Sequence, residues 1–321
     1  MLKEITQKEF LSSVGVAERT FYFWKKTPAE TTKTRGRKTS PLNKLTKKET
    51  CEVKNILLDK TMSDLSPREI YYKIMDEDNK IIASVSTFYR VARRENLLIK
   101  RIKTSPETPL NREMPHLLAT GINQIWSWDV SQISSTIRNQ RFYLYVIVDI
   151  WSRLVVGWTL EDHEKTEFAV KMWKEALELQ MVSGKNLTNH KDNGSIMRSG
   201  EMIKFVRDAE MIDSYSRAGV SDDNPFSEAL FRTIKYFRDF PNNFDNVEVG
   251  RIYFKNYFNE YNYINRHSGI QFLTPAQRHY GEEKKILEVR NQLVENFKNK
   301  NPHRYSSKEK KYYPIIEVNI N

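Results

Sequence analysis

Two clusters of acidic and small polar residues lie in the middle of the chain. The first reads Asn189-His190-Lys191-Asp192-Asn193-Gly194-Ser195 and the second Ser221-Asp222-Asp223-Asn224-Pro225-Phe226-Ser227-Glu228, with 35 residues between Asp192 and Glu228. A third carboxylate, Asp129, sits upstream in the apolar run Ile125-Trp126-Ser127-Trp128-Asp129-Val130. A carboxylate inside such a run is costly to bury unless something neutralises it, and a divalent cation does so well. Three carboxylates from two strand ends and a helix could hold two Mg²⁺ ions about 4 Å apart, one at the attacking and one at the leaving oxygen of an in-line displacement. Phosphodiester cleavage needs that arrangement because charge builds on both oxygens, and it requires no nucleophilic side chain.

Each of these residues also has a plainer reading. Asn193-Gly194 is a turn dipeptide tolerant of positive φ, so Asp192 reads either as an ordinary turn residue or as a carboxylate exposed at the end of a strand. Asn224-Pro225 starts a helix, with Pro at the first helical position and Asp223 or Asn224 as its cap, which makes Asp222 and Asp223 capping residues rather than ligands. On that helix Arg232 and Lys235 follow Glu228 at i+4 and i+7. The pattern is a surface ion pair worth roughly 0.3–0.5 kcal/mol, or a ligand with phosphate-binding cations beside it. Asp149 rivals Asp129 on the same burial argument, but Ser152-Arg153 offers it a salt bridge and a structural role.

The elements that must position these groups follow from periodicity. Residues 125–133 and 141–150 are rich in β-branched and aromatic types around a polar Arg138-Asn139-Gln140 turn, and 153–160 reads as a third strand. Period-two geometry sets Ser127 and Asp129 on one face, Trp126 and Trp128 on the other. A helix over 166–181 buries Phe168, Met172, Ala176 and Leu179. The result is a mixed α/β pattern over 119–240.

Upstream lie two all-α segments. Residues 1–26 read as a small helix-turn-helix, opened by the capping box Thr6-Gln7-Lys8-Glu9 and turned at Gly15, a unit equally common as plain packing. Residues 27–45 form a linker whose Arg35, Arg37 and Lys38 could lie along a phosphate backbone or be merely solvated. Residues 46–98 carry two more capping boxes, Thr46 to Glu49 and Ser66 to Glu69, and form a three-helix domain. On its third helix Phe88, Val91 and Ala92 face inward, while Arg90, Arg93 and Arg94 line another face suited to guanine edges and phosphates. Residues 99–118 are a second linker with Pro106, Pro109 and Pro115. A helical C-terminal region and tail, 241–321, includes an aromatic helix over 247–264 and an amphipathic helix over 282–298, the latter a candidate oligomer contact.

Charge supports this division. Lys+Arg against Asp+Glu runs 23 to 14 over residues 1–110, 20 to 21 over 111–280 and 9 to 6 over 281–321, for a net +11. A near-neutral body with basic flanks fits a catalytic domain carried onto a polyanion, nucleic acid first among them. Cys51 is the single cysteine, which excludes a disulfide framework or a multi-Cys zinc site, and no two of the six histidines share metal-binding helical spacing. With neither a signal-peptide pattern nor a membrane-length apolar run, the expected location is the cytoplasm.

Taken together, the blocks around Asn123-Gln124-Ile125-Trp126-Ser127-Trp128-Asp129, His190-Lys191-Asp192-Asn193-Gly194-Ser195 and Asp222 to Tyr236 resemble the signature blocks of DDE transposases of the IS-three insertion-sequence family. Tyr261-Asn262, Arg266-His267-Ser268-Gly269-Ile270, Thr274-Pro275-Ala276 and Asn301-Pro302-His303-Arg304-Tyr305 resemble the blocks that follow, so the likeness spans roughly residues 120–321. It implies an RNase H-like integrase catalytic core with Asp129, Asp192 and Glu228 as ligands of Mg²⁺ or Mn²⁺, two ions per site. It further implies that Lys235 and Arg232 contact the transposon end. The implied partners are double-stranded DNA, both terminal inverted repeats and target, and further copies of the chain on that DNA. The implied chemistry is water-dependent nicking that frees a 3′-hydroxyl, followed by strand transfer. Lys191 departs from the small residue usual before the second Asp; a cation there could depress that carboxyl or contact DNA. The alternatives are a domesticated, catalytically idle DNA-binding regulator on the same fold, and a nuclease without strand transfer, which the two upstream helical units disfavour.

Overall fold

Local chemistry starts most of the helices where the sequence marks them. The computed structural model describes residues 6–26, 43–62, 65–98, 117–216, 224–237, 239–304 and 311–320. The chain divides into two units, Met1–Lys44 and Leu45–Asn321. The first holds α1 (Gln7–Ser13) and α2 (Glu18–Lys26), joined through Gly15 at φ +69°. Only Leu11 is buried among its described residues, and Phe10, Tyr22, Phe23 and Trp24 are exposed. Arg35, Arg37 and Lys38 lie outside the described residues.

In the second unit α3 (Lys47–Leu58) and α4 (Pro67–Glu77) each begin with a complete capping box, Thr46 with Glu49 and Ser66 with Glu69, and α5 (Val85–Arg94) follows. Strands β1 (Leu117–Ala119), β2 (Ile125–Ser134), β3 (Arg141–Asp149) and β4 (Val155–Glu161) come next, then α6 (Thr166–Leu179), β5 (Thr188–Lys191), α7 (Gly200–Asp208) and β6 (Ile212–Tyr215). Helices α8 (Pro225–Lys235), α9 (Val247–Tyr263), α10 (Pro275–His279) and α11 (Glu283–Lys300) and the short strand β7 (Val318–Ile320) complete the chain. Five strands form one sheet in the order β4-β3-β2-β5-β6. β2, β3 and β4 are mutually antiparallel, whereas β5 runs parallel to β2 and β6 parallel to β5.

The period-two pattern sorts the two faces of this sheet. Trp126, Trp128, Tyr145 and Ile147 pack with Trp173 of α6 and Met202 of α7 on one side. Ile133, Phe142, Leu144 and Val146 pack with α8 and α9 on the other. A mixed five-stranded sheet with this order, helices on both faces and further helical segments on either side in sequence, is the RNase H-like architecture. β7 pairs antiparallel with β1, so the end of the chain closes against the start of the core.

The C-terminal helices differ from expectation in what they touch. The aromatic side of α9 (Phe254, Tyr257, Phe258, Tyr261) is core, as its crowding suggests. The apolar stripe of α11, expected to be a candidate oligomer contact, is occupied within the chain, because Leu287, Leu293 and Val294 pack with Ile70, Tyr72 and Met75 of α4. Arg290, fully buried, donates to both carboxylate oxygens of Asp76 at 2.8 Å and lies 4.7 Å from the centre of the Tyr72 ring. Arg266 also pairs with Asp76, and Arg304 holds Glu49 at 2.8 and 2.9 Å. Among the described residues no helix is long and apolar enough to cross a membrane.

Helix α9 crosses the edge strand β4 at Gly250, where a Cβ would overlap Leu160 Cδ2. In an exposed helix Gly→Ala gains about 1 kcal/mol, but overpacking a core contact costs about 1–3 kcal/mol. Gly250→Ala should therefore lower stability in urea unfolding, and a gain would show that the helix has room to shift.

Candidate active site

Asp129 projects from the α8 face of β2, as the alternation with the two tryptophans requires. β5 lies alongside with Ser127 opposite His190, and the pairing with β2 ends at that position. Carrying the same register two residues further sets Asp192 beside Asp129, just past the carboxyl end of β5. Crevices beyond the carboxyl ends of parallel strands, where the strand order reverses, are where open α/β sheets bind ligands. Trp128 Nε1 donates to Asn189 Oδ1 at 2.8 Å and helps hold the two strands together on the opposite face. Asp192 closes its own turn by accepting the Gly194 N–H at 2.8 Å.

Glu228 reaches this place on α8, whose first turn is fastened to β2. Ser127 donates to Asn224 Oδ1 and lies 2.9 Å from Ser227 Oγ, while Asn224 Nδ2 donates to the Trp128 carbonyl at 3.3 Å. Asn224 does stand at the helix N-cap, but its side chain makes no capping bond; it is spent on β2 instead. Asp222 and Asp223 fall outside the described residues.

The charges meet at Asp129. Its carboxyl is pushed up to about 7, chiefly by burial; the Val130 N–H opposes this, Asp192 and Glu228 push further up, and Lys235 pulls down. Three carboxylates and one lysine thus share a single electrostatic neighbourhood. Arg232 is exposed on the same helix and does not contribute to that shift. Among the described residues no group of three or more His, Cys, Asp or Glu is close enough to hold a metal ion. In donor chemistry the set fits a hard divalent cation, offering only carboxylate oxygens whose mutual repulsion such an ion would relieve.

Lys191 corrects an expectation. It is fully buried, paired with Asp213 at 2.7 Å and set 4.8 Å from the Tyr215 ring centre. It lies on the tryptophan face, opposite Asp192, with its ammonium turned to Asp213 rather than to solvent; the parallel register through Asn189 and Asp213 turns it that way. Asp149 is structural, as its position suggests, but through other partners. Fully buried, it accepts from Ser152 N–H at 2.7 Å, Ser152 Oγ at 2.9 Å and Asn123 N–H at 2.7 Å. No ion pair joins it to Arg153 among the described residues; Arg153 stacks over Phe226 at 3.9 Å. His267 is a packing residue against Tyr261, its ring lowered to about 4 by burial and then by Arg153. On α5 the inner residues Phe88, Val91 and Ala92 are buried and Arg90, Arg93 and Arg94 are exposed. Sequence reasoning missed Ser127, Asn224, Ser227, Phe226 and Arg153 as parts of the site. The one available signal was Ser127, two residues before Asp129 and hence on its face.

Residues 119–221 match the family model described as integrase core domain. The chain is 28% identical over 160 residues to the transposase InsF for insertion sequence IS3A of Escherichia coli strain K12, covering 50% of this chain and 54% of that one. It is 28% identical over 160 residues to the transposase for insertion sequence element IS904 of Lactococcus lactis, covering 49% and 61%. The chain thus spans about half the length of the curated relatives it matches. Among solved structures, the catalytic core domain of HTLV-2 integrase in complex with magnesium aligns at 21% identity and TM-score 0.37, over 50% of this chain and 97% of that one. A simian T-cell lymphotropic virus intasome in complex with PP2A regulatory subunit B56 gamma aligns at 18% identity and TM-score 0.43, over 67% and 75%.

The sheet order and the family match define the class: an RNase H-like integrase core. The curated sequences the chain is similar to are transposases of insertion sequences IS3A and IS904.

A carboxyl raised from near 3.9 in the unfolded chain to about 7 binds its proton more tightly when folded. The stability this contributes is complete below the unfolded value and is lost as pH rises through about 7. Asp129→Asn should therefore stabilise the metal-free protein at pH 8 by about 1–3 kcal/mol and do little at pH 4.5. Thermal melts in chelator at the two pH values measure this; a loss of stability at pH 8 would mean that burial does not disfavour the ionised Asp129.

Proposed function

We propose that the chain is a DNA transposase that binds the ends of an insertion sequence, nicks them to free a 3′-hydroxyl and transfers that end to target DNA. The reading is carried by one observation: Asp192, just past the end of the strand beside β2, and Glu228 and Lys235, on one helix, all act on the partly buried carboxyl of Asp129. The match of residues 119–221 to the integrase core and the likeness to IS3 transposases support it.

Asp129, Asp192 and Glu228 would hold Mg²⁺ or Mn²⁺, two ions per site. When bound, the ions would supply positive charge to the attacking and leaving oxygens of the displacement. The chain's own residues do the rest. Burial of Asp129 against the sheet excludes water from one side of the site, and the Ser127–Asn224–Ser227 contacts hold Glu228 at a set height along β2. Lys235, two helical turns beyond Glu228, and Arg232 beside it present cations where the phosphates of a DNA end would pass. The exposed Arg90, Arg93 and Arg94 of α5 would grip the duplex further from the cut, through phosphates and guanine edges. Further copies of the chain would assemble on the same DNA. A second reading, a catalytically idle DNA-binding regulator on the same fold, draws on the observation that the described carboxylates do not close around a metal position.

Incubation with Mg²⁺ and DNA carrying terminal inverted repeats separates the readings. Nicked plus joined products indicate a transposase, nicking alone a nuclease, and binding alone a regulator. Asp192→Asn should abolish cleavage while leaving end binding within about twofold, since the carboxylates supply only transition-state interactions; retained cleavage would remove Asp192 from the ligand set. Replacing both Arg90 and Arg94 by Ala should weaken binding and reduce the slope of log K against log salt by about two, one counterion for each lost phosphate contact. An unchanged slope would turn α5 away from the DNA.

A further inference from the structure

Arg153 stands in the turn between β3 and β4 with φ +69°, a backbone region that disfavours any side chain with a Cβ. The turn itself asks for nothing that arginine supplies, since only the Arg153 N–H is used, donating to the Asp149 carbonyl at 2.8 Å. Glycine or asparagine would take the same conformation with less strain. The guanidinium is instead carried inward, where Nη1 is buried and has no hydrogen-bond partner among the described residues. The neighbouring carboxylate, Asp149, is already engaged by Ser152 and Asn123. A desolvated cation with an unused donor is costly, so its retention points to the contact it does make. That contact is the face of the Phe226 ring, with the guanidinium carbon 3.9 Å from its centre.

Phe226 is the second residue of α8, two residues after Asn224 and one before Ser227, both of which hold β2 through Ser127. The first turn of the helix is therefore fastened on two sides, by hydrogen bonds to the strand and by a stack against the β3–β4 turn. Hydrogen bonds alone fix its distance from β2; the stack fixes its rotation about its own axis. Rotation decides the direction in which Glu228, two residues beyond Phe226, leaves the helix. We infer that Arg153 is a positioning residue, which through Phe226 aims Glu228 at Asp129 and Asp192. The inference rests on Glu228 being a metal ligand, and the experiment separates the two.

The full-length chain and its variants are titrated with Mn²⁺, free ion being read by electron paramagnetic resonance, and assayed for cleavage of terminal-repeat DNA. Arg153→Met and Phe226→Leu should each weaken Mn²⁺ binding by about tenfold and lower kcat by about 10–100-fold, with KM for DNA within about twofold. The double variant should be no worse than either single, because both remove one contact. Phe226→Tyr, which keeps the aromatic face, should bind Mn²⁺ within about twofold of the parent. A merely structural loss would lower the melting temperature without that rescue and without sparing KM. Should Arg153→Met fold poorly, the comparison of Phe226→Leu with Phe226→Tyr still decides. Parent-like Mn²⁺ binding in Phe226→Leu, or additive losses in the double variant, overturns the positioning role. If Glu228→Gln itself binds Mn²⁺ like the parent, the ligand assignment fails and this inference with it; if Glu228→Gln binds weakly and Phe226→Leu does not, only the positioning role is lost.

Discussion

Ser127 Oγ sits between β2 and α8 and touches two residues of the helix at once, Asn224 and Ser227. The site depends on that junction. Asp129 and Asp192 come together through the sheet alone, as neighbours on parallel strands, but Glu228 belongs to a helix that could lie at many heights and rotations over the same face. A buried hydroxyl that donates to one helix residue and pairs with another fixes the height of the helix over the strand, and because all three groups are buried, breaking the junction would strand polar atoms away from water. Asn224 reinforces it by donating to the Trp128 carbonyl as well.

The sheet that carries the junction is made rigid by its other face. Trp126 and Trp128 pack against Trp173, and Trp128 ties into β5 through Asn189. Lys191, buried at the very end of β5, pairs on this side with the more exposed Asp213. A strand whose tip is held by large rings and an ion pair below presents its next carboxylate above with little play. This division of labour, packing beneath and acidic groups above, gives Asp129 a low-polarity surrounding that itself raises its carboxyl, with Asp192 and Glu228 adding to the rise.

Away from the site, one carboxylate organises the remainder of the second unit. Asp76 of α4 receives both Arg266 and Arg290, and Tyr72 stacks on Phe272 at 4.6 Å. The helix that bears Arg90, Arg93 and Arg94 therefore belongs to the same packed body as the segment leading back through α10, where Ser152 meets His279 at 2.9 Å beside Asp149. A buried pair of this kind is weak evidence for stability but leaves few alternative arrangements, because each guanidinium must find its acceptors.

What the amino-acid sequence determined by itself was local. The capping boxes at Thr46 and Ser66, the turn at Gly15 and the alternation of Ser127 and Asp129 with Trp126 and Trp128 all act within a few residues, where backbone geometry dictates which side chains meet. The three carboxylates stand out as candidates in the sequence too, from their block pattern and from the cost of burying Asp129. Tertiary structure alone decided how they are held. Ser127 and Asn224 are 97 residues apart, and Arg290 and Asp76 are 214 apart. Lys191 turned inward, and Leu287, Leu293 and Val294 of α11 met α4, for the same reason. Periodicity tells which face of an element is apolar or polar, but not which distant surface covers it. That choice is made by the folded chain, where most buried charges and donors find partners far away in sequence.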